Sequence, residues 1–281
     1  DDLVHSDGKT AQKAVELISK YKDMEKPFFL AVGFVRPHVP LVAPKKYFAP
    51  YSLDKIILPP KIPGDQNDIP RNSANKRTTA NYKMDLAQQK GVLRAYYATV
   101  SYMDSLVGKI ISALESTGQR DNTIVIFTSD HGYHLGEHDL WQKVSIHEES
   151  AKVPLIICVP GKKPAVCNSL TELIDLYPTV SKLCGLKIPG NIQGKDISTM
   201  LDDPTFKVRK AALSSGKGRL LRTEKWAYLD YGKTGELYDM EKDPKQYTNL
   251  VNYPEHATVL NQLKDQLKSK LNSIDQNDLD R

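Results

Sequence analysis

The stretch Thr123-Ile-Val-Ile-Phe-Thr-Ser-Asp130-His131-Gly132 decides the fold class of this 281-residue chain. Its apolar, β-branched run predicts a buried strand, and the polar residues after it would form the carboxyl end of that strand. Ligands of open α/β sheets bind at such ends. A carboxylate beside an imidazole suits a metal ion or an anion, and Gly132 lets the backbone turn there. Asp130 and His131 are therefore the first candidate site residues.

Apolar patterns on both sides of this stretch predict further helices and strands. Residues at helical spacing predict three helices, over 9–22, 90–117 and 171–184. Gly118 should stop the second of these, and Pro178 should bend the third. Continuous apolar runs predict two more buried strands, at 28–34 and 153–160. A helix followed by a buried strand is typical of a parallel α/β sheet.

The pattern changes after about residue 205. Short apolar segments separated by glycines predict an antiparallel meander, with strands at Ala211–Ser215, Arg219–Thr223, Trp226–Asp230 and Glu236–Asp239. A charged amphipathic helix over 254–272 would close the chain. We therefore expect residues 1–204 to belong to a main α/β domain and residues 205–281 to form a smaller α+β subdomain.

Composition excludes some classes of protein. The chain is 40% hydrophobic and 26% charged, as in ordinary globular proteins. It contains no apolar run of about 18 residues, so no membrane span is expected. A net charge of +5 mildly favours anionic substrates but lacks the clustered basic patch of a nucleic-acid binder. No cysteine lies in a C-x-x-C pattern; Cys167 and Cys184 are either free thiols or a pair.

Three further features of the sequence are candidates for a site. His38 lies in Arg36-Pro37-His38-Val39-Pro40, where prolines stiffen the backbone, and is either a site residue or a surface histidine. Lys143 could meet an anion or face solvent. His134 and His138 have a metal-binding spacing only if their segment is helical, which Gly136 disfavours. The irregular segment 43–90 should cross the face of the active site.

Four sets of motifs resemble the sulfatases of the alkaline-phosphatase-like superfamily. Thr128-Ser-Asp-His-Gly-x-x-Leu-Gly-Glu-His-x-x-Trp-x-Lys143, followed by Val153-Pro-Leu-Ile, resembles the second metal-binding region of that family. The segment 28–40 resembles the substrate-histidine strand of the iduronate-2-sulfatase-like branch, and 96–104 resembles its long helix. The segments 221–228 and 236–250 resemble the C-terminal subdomain of the family.

The resemblance implies a fold, a reaction and residue roles. The fold would be an alkaline-phosphatase-like mixed, largely parallel sheet flanked by helices, incomplete in this chain. The activity would be metal-dependent hydrolysis of a sulfuric ester, on a sulfated sugar or polysaccharide. Asp130 and His131 would be metal ligands, Lys143 would contact the sulfate, and His38 would contact the sulfate or assist the leaving group. The family metal is usually calcium, whereas an imidazole ligand by itself favours zinc or manganese.

Part of the family's catalytic machinery is not visible in this sequence. Sulfatases attack with a formylglycine made within a Cys/Ser-x-Pro-x-Arg motif, and no cysteine here stands in one. Asp1-Asp2 imitates the family's first carboxylate pair, but no apolar strand precedes it, so we interpret the match as accidental. We therefore expect the C-terminal part of an exported sulfatase, inactive alone, whose N-terminal half and nucleophile lie upstream. The alternatives are a phosphodiesterase or phosphonate hydrolase of the superfamily, or, if the chain is complete, a non-catalytic sulfated-glycan-binding protein.

Overall fold

The computed structural model describes residues 1–70, 73 and 77–275, and the side chains up to residue 274. The chain divides into two compact units. The first consists of residues 1–60, 79–127 and 156–161, and the second of residues 61–78, 128–155 and 162 onward. The domain boundary predicted between residues 204 and 205 stays a prediction.

The first unit is built on two helices, α1 (Ser6–Tyr21) and α3 (Leu86–Ser116), with the short α2 (Thr79–Tyr82) before α3. Apolar residues of α1 and α3 form two buried clusters, Ala11 with Tyr102 and Leu106, and Ile18 with Ala113 and Leu114. Both predicted helices are confirmed. The long helix begins earlier than expected because Asp85 caps it in a capping box with Gln88. Gly118, at φ +71°, follows its end as predicted.

Strands β1 (Val125–Thr128) and β4 (Leu155–Cys158) pair as a two-stranded sheet. The strands predicted at 123–128 and 153–160 are thus confirmed in shortened form. They are half-buried rather than fully buried, and Ile156 is 53% exposed. Within the part of the chain that is described, β1 and β4 are the only strands found of the large, mainly parallel sheet that the sequence predicted.

The strand predicted at 28–34 is wrong for the described structure, which assigns no strand there. The segment is extended with alternating burial: Phe28 and Leu30 pack on the helices, while Phe29 is 83% exposed. An extended segment becomes a strand only when a neighbour satisfies its N–H and C=O groups. Apolar composition predicted the extended backbone, but it could not supply that neighbour.

The second unit contains a four-stranded antiparallel meander of β5 (Ala211–Ser215), β6 (Arg219–Thr223), β7 (Trp226–Asp230) and β8 (Gly235–Asp239). Side chains from one face of this sheet, including Leu221 and Leu237, pack on Leu260 and Leu263 of α6 (Ala257–Asp275). The predicted meander and closing helix are confirmed. The alternation of apolar and polar residues was sufficient because each hairpin pairs neighbours in sequence.

Shorter elements of the second unit surround the candidate site. They are β2 (His134–Leu135), β3 (Trp141–Gln142), α4 (Glu148–Ala151) and α5 (Leu176–Leu183). Pro178 lies in the first turn of α5, because the helix begins only at Leu176, and a proline there has no intrahelical N–H bond to lose; the bend expected at Pro178 stays a prediction. Among the described residues, no helix has the length and apolar character needed to cross a membrane.

Candidate active site

Asp130 and His131 follow β1 directly, as the sequence predicted. The side chain of Asp130 is 85% exposed, and its Oδ1 accepts a hydrogen bond from the His131 amide at 3.0 Å. His131 Nδ1 lies 2.8 Å from the carbonyl oxygen of Gly132 and donates to it. The lone pair of Nε2 is therefore available, and Nε2 lies 3.7 Å from Asp130 Oδ2. One carboxylate and one imidazole can thus face the same cation.

Gly132 is required by close approach rather than by a turn. A Cβ atom at this position would lie 2.0 Å from the Glu149 carbonyl oxygen and 3.1 Å from that of Lys152. The Gly132 amide donates to the Ser150 carbonyl at 2.8 Å, which fixes the Asp130–His131 dipeptide against α4. Its φ angle is not positive, so the sequence-based reason for this glycine was wrong.

Lys143 lines the same cleft of the second unit as Asp130 and His131. The cleft has a volume of about 1580 Å³, and Lys152, Lys210 and Arg222 add positive charge to its walls. Arg222 is paired with Glu148 at 2.8 Å, whereas Lys143 makes no ion pair with any described residue. The structure therefore brings three of the four predicted site residues to one cationic cleft.

The loop that carries Lys143 is held by the segment 61–78. The Trp141 amide donates to the Arg77 carbonyl at 2.8 Å, and Thr78 forms an isolated bridge with Leu140. Gln66 donates to the His138 carbonyl. This part of the segment predicted to be irregular thus packs on the β2–β3 hairpin. Residues 71, 72 and 74–76 lie outside the described residues.

Beneath this hairpin lies a buried histidine cluster of His134, His138 and His147, which the sequence did not predict. The rings of His138 and His147 stack with centroids 4.9 Å apart, and the ring of His134 lies 6.2 and 6.3 Å from them. Each side chain is at most 3% exposed. The segment is not α-helical, as Gly136 indicated, and the described residues contain no group of three side chains arranged to hold a metal ion.

Two of the three histidines, His138 and His147, are each hydrogen-bonded to a buried carboxylate, whereas His134 has no such partner among the described residues. Burial, with the two neighbouring histidines, holds the pKa of His134 well below its ordinary value. Burial would also lower the pKa of His138, but the hydrogen bond from its Nδ1 to Asp65 raises it overall. His147 Nε2 donates to Glu236 at 2.7 Å; burial opposes ionisation of that carboxyl, yet this contact lowers its pKa overall. The cluster thus orders the loop between His131 and Glu148.

His38, the fourth predicted residue, lies in the first unit and is exposed. Its Nδ1 lies 2.6 Å from the carbonyl oxygen of Val39 and donates to it, so Nε2 is the nitrogen that faces outward. Arg36 closes the loop by donating from Nη1 to the carbonyls of His38 (2.5 Å) and Pro40 (2.9 Å).

Asp2, which with Asp1 imitates a family metal-binding pair, has a structural role. Asp2 is buried and forms ion pairs with Lys109 at 2.8 Å and Lys46 at 3.0 Å. Burial by itself would raise its pKa, but the two lysines lower it overall. This partnership fits the interpretation that its likeness to a metal-binding pair is accidental. Asp104 is exposed on α3, and the three cysteines are free.

Comparison with known proteins identifies the fold and the family. The fold is a mixed α/β fold with antiparallel sheets, shared with sulfatases and phosphonate hydrolases of the alkaline-phosphatase-like type. The family model "Sulfatase" matches residues 3–186, and "N-sulphoglucosamine sulphohydrolase, C-terminal" matches residues 136–273. The chain belongs to the sulfatase family.

Individual relatives place the chain within that family. It is 30% identical to an arylsulfatase of Clostridium perfringens, over 94% of this chain and 57% of the relative. It is 32% identical to a choline-sulfatase of Rhizobium meliloti, over 87% and 50%. It is 31% identical to human iduronate 2-sulfatase, over 65% and 40%. The chain therefore spans about half the length of these curated relatives.

Solved structures of similar fold cover most of this chain. A phosphonate monoester hydrolase from Silicibacter pomeroyi superposes with a TM-score of 0.85 at 23% identity, over 95% of this chain and 60% of that one, which shows the shared fold. An enzyme solved in complex with its substrate D-glucosamine-2-N,6-O-disulfate superposes with a TM-score of 0.61 at 28% identity, over 71% and 46%.

Proposed function

We propose that this chain is the C-terminal part of a sulfuric ester hydrolase that removes sulfate from a sulfated sugar or polysaccharide. The observation that carries the proposal is the cleft of the second unit, which brings Asp130, His131 and Lys143 together. A relative named "Ulvan-active sulfatase" and the enzyme solved with a disulfated glucosamine support a carbohydrate substrate. The iduronate-2-sulfatase-like branch remains our proposal for the subgroup.

Asp130 and His131 would hold a divalent cation, for which we propose calcium, with zinc or manganese as the alternatives. The donor set fits part of a coordination sphere, because the carboxylate is exposed and the Nε2 lone pair beside it is unused. Calcium takes six to eight oxygen ligands, so further ligands would come from outside these two residues. When bound, such a cation neutralises charge on the sulfuryl oxygens.

Lys143 and His38 would act on the sulfate ester itself. Lys143, free of any described carboxylate, would place its ammonium on a sulfuryl oxygen as charge develops in the transition state. In its doubly protonated form, His38 would keep Nδ1–H on the Val39 carbonyl and donate from Nε2–H to the sulfate or to the leaving oxygen, returning to the neutral Nδ1–H ring when that proton is transferred. The positive charge on the Lys143 ammonium and the proton on His38 Nε2 are thus in place before the ester bond breaks.

The nucleophile would lie outside this chain. The chain covers 57% or less of the length of the relatives quoted above. We propose that an upstream formylglycine completes the site, that the protein is exported, and that the 281-residue chain alone does not turn over. Phosphonate or phosphate ester hydrolysis is the second candidate, favoured by the TM-score of 0.85 with a phosphonate monoester hydrolase.

Two experiments test the proposal. In calorimetry on the complete polypeptide, calcium should bind, and Asp130→Ala should abolish binding. Asp104→Ala, which removes an exposed carboxylate of the first unit, is the matched control and should leave binding unchanged. Unchanged calcium affinity in Asp130→Ala would refute the metal assignment.

In the complete polypeptide, a chromogenic sulfate ester and a phosphonate monoester are compared as substrates. We expect the sulfate ester to be hydrolysed faster, and His38→Ala to reduce its turnover about 100-fold while metal content is unchanged. A faster phosphonate reaction would favour the second candidate. Turnover by the 281-residue chain alone would overturn the proposal that the nucleophile lies upstream.

A further inference from the structure

The loop 35–40 is attached to α1 through one buried carboxylate. Asp7 lies in the first turn of α1 and is 1% exposed. Its Oδ2 accepts a hydrogen bond from the Arg36 amide at 2.8 Å, and its Oδ1 accepts one from the Val35 amide at 3.1 Å. An acid in the first turn is also favoured by the helix dipole.

From this attachment a continuous set of hydrogen bonds leads to the imidazole of His38. The Val35 carbonyl accepts from the His38 amide at 2.9 Å, and the Arg36 side chain donates to the His38 carbonyl. The ring nitrogen Nδ1 then donates to the Val39 carbonyl. The Asp7 carboxylate thus holds Val35 and Arg36, where the loop begins, and the Arg36 side chain closes the loop.

The base of this arrangement is rigid. Helix α1 buries Ala11, Ala14 and Ile18, and packs on α3 through Tyr102 and Leu106. The loop itself has an exposed tip at His38 and contributes little to that core. The position of the ring therefore depends on polar anchors and not on apolar packing.

We propose that Asp7 is a positioning residue for His38, because its carboxylate fixes the loop so that the imidazole presents Nε2 outward with the proton on Nδ1. The proposal rests on the catalytic role proposed for His38. It predicts that Asp7 acts on the tautomer and orientation of a ring that it does not touch. A residue that only stabilised α1 would leave the tautomer unchanged.

The test is ¹⁵N NMR of the histidine rings in the 281-residue chain. In the unaltered chain, the neutral His38 ring should favour Nδ1–H about tenfold, in line with one well-formed hydrogen bond. Asp7→Asn replaces one acceptor oxygen by an NH₂ group that faces an amide, and should bring the two tautomers near parity. Asp23→Asn, which alters a carboxylate 85% exposed just after α1, should change nothing.

A second variant keeps the test decisive if Asp7→Asn fails to fold. Asp7→Glu keeps the negative charge in the first turn of α1 but moves the carboxylate oxygens by one methylene from the Val35 and Arg36 amides. It should also shift the tautomer towards parity. If Asp7→Glu, and Asp7→Asn where it folds, keep the tenfold preference, the positioning role is wrong.

Kinetics in the complete polypeptide separate this inference from the proposed function. Asp7→Asn should lower kcat for sulfate ester hydrolysis by about 10- to 100-fold with KM changed less than about twofold, since misplacement of a reacting group affects the chemical step. If the tautomer shifts but His38→Ala does not alter turnover, the catalytic role of His38 fails while the positioning by Asp7 stands.

Discussion

Replacing Gly132 by alanine tests whether the close approach between two backbones positions Asp130 and His131, the proposed metal ligands. The added Cβ would lie 2.0 Å from the carbonyl oxygen of Glu149, where ordinary contact begins at 3.4 Å. The two segments would have to separate by roughly 1.4 Å, because both sides of the contact are backbone. That movement would stretch the 2.8 Å hydrogen bond from the Gly132 amide to the Ser150 carbonyl.

The cost of Gly132→Ala has two parts. Overpacking in a filled region costs about 1–3 kcal/mol, and a lost backbone hydrogen bond costs about 1 kcal/mol. We expect the free energy of unfolding to fall by about 2–4 kcal/mol. A displacement of this size at Asp130 and His131 should weaken calcium binding by at least about tenfold, since coordination distances tolerate only a few tenths of an ångström.

The assay combines chemical denaturation of the 281-residue chain with calcium calorimetry of the complete polypeptide. Gly108→Ala is the matched control, because a Cβ at Gly108, on α3, meets nothing within 4 Å. Alanine there should be neutral or should stabilise the helix by up to about 1 kcal/mol. If Gly132→Ala matches the unaltered chain in both stability and calcium affinity, the close-contact argument is refuted.

Two further predictions concern buried charge in the second unit. Asp175 is fully buried, pairs with Arg209 and accepts amide hydrogen bonds. Asp175→Asn should therefore lower the free energy of unfolding, measured by urea denaturation, by about 3–5 kcal/mol. The control is Asp202→Asn, which breaks the exposed ion pair of Asp202 with Lys162 and should cost less than about 0.5 kcal/mol. Equal losses of stability in the two variants would refute the argument that burial makes the Asp175 pair costly to break. The folded state holds the pKa of His134 well below 6.5, so below pH 6.5 the imidazole of His134 is protonated first in the unfolded chain. As the pH falls below 6.5, this difference should lower the free energy of unfolding by up to about 1.4 kcal/mol per pH unit. His134→Phe, which removes the titrating ring, should flatten the acid limb of the stability curve; an unchanged acid limb would contradict this prediction.

Local patterns predicted the elements whose partners are near in sequence. The meander of β5 to β8 was located almost to the residue, because hairpins pair consecutive segments. The long helix α3 was located from its apolar stripe, although its start was set by Asp85. The sequence placed Pro178 in the interior of a helix over 171–184, whereas α5 begins only at Leu176, so the proline lies in its first turn.

The sequence by itself determined the family, the helices, the meander and the position of Asp130 and His131 at the end of a strand, since each depends on residue types at fixed spacing. The tertiary structure alone decided why Gly132 is glycine, which buried carboxylates accompany the histidine cluster, and that 28–34 lies without a described strand partner. These features join residues far apart in the chain. The physical reason is that steric contact, burial and hydrogen-bond pairing are properties of neighbours in space, and no local pattern records which neighbours the fold supplies.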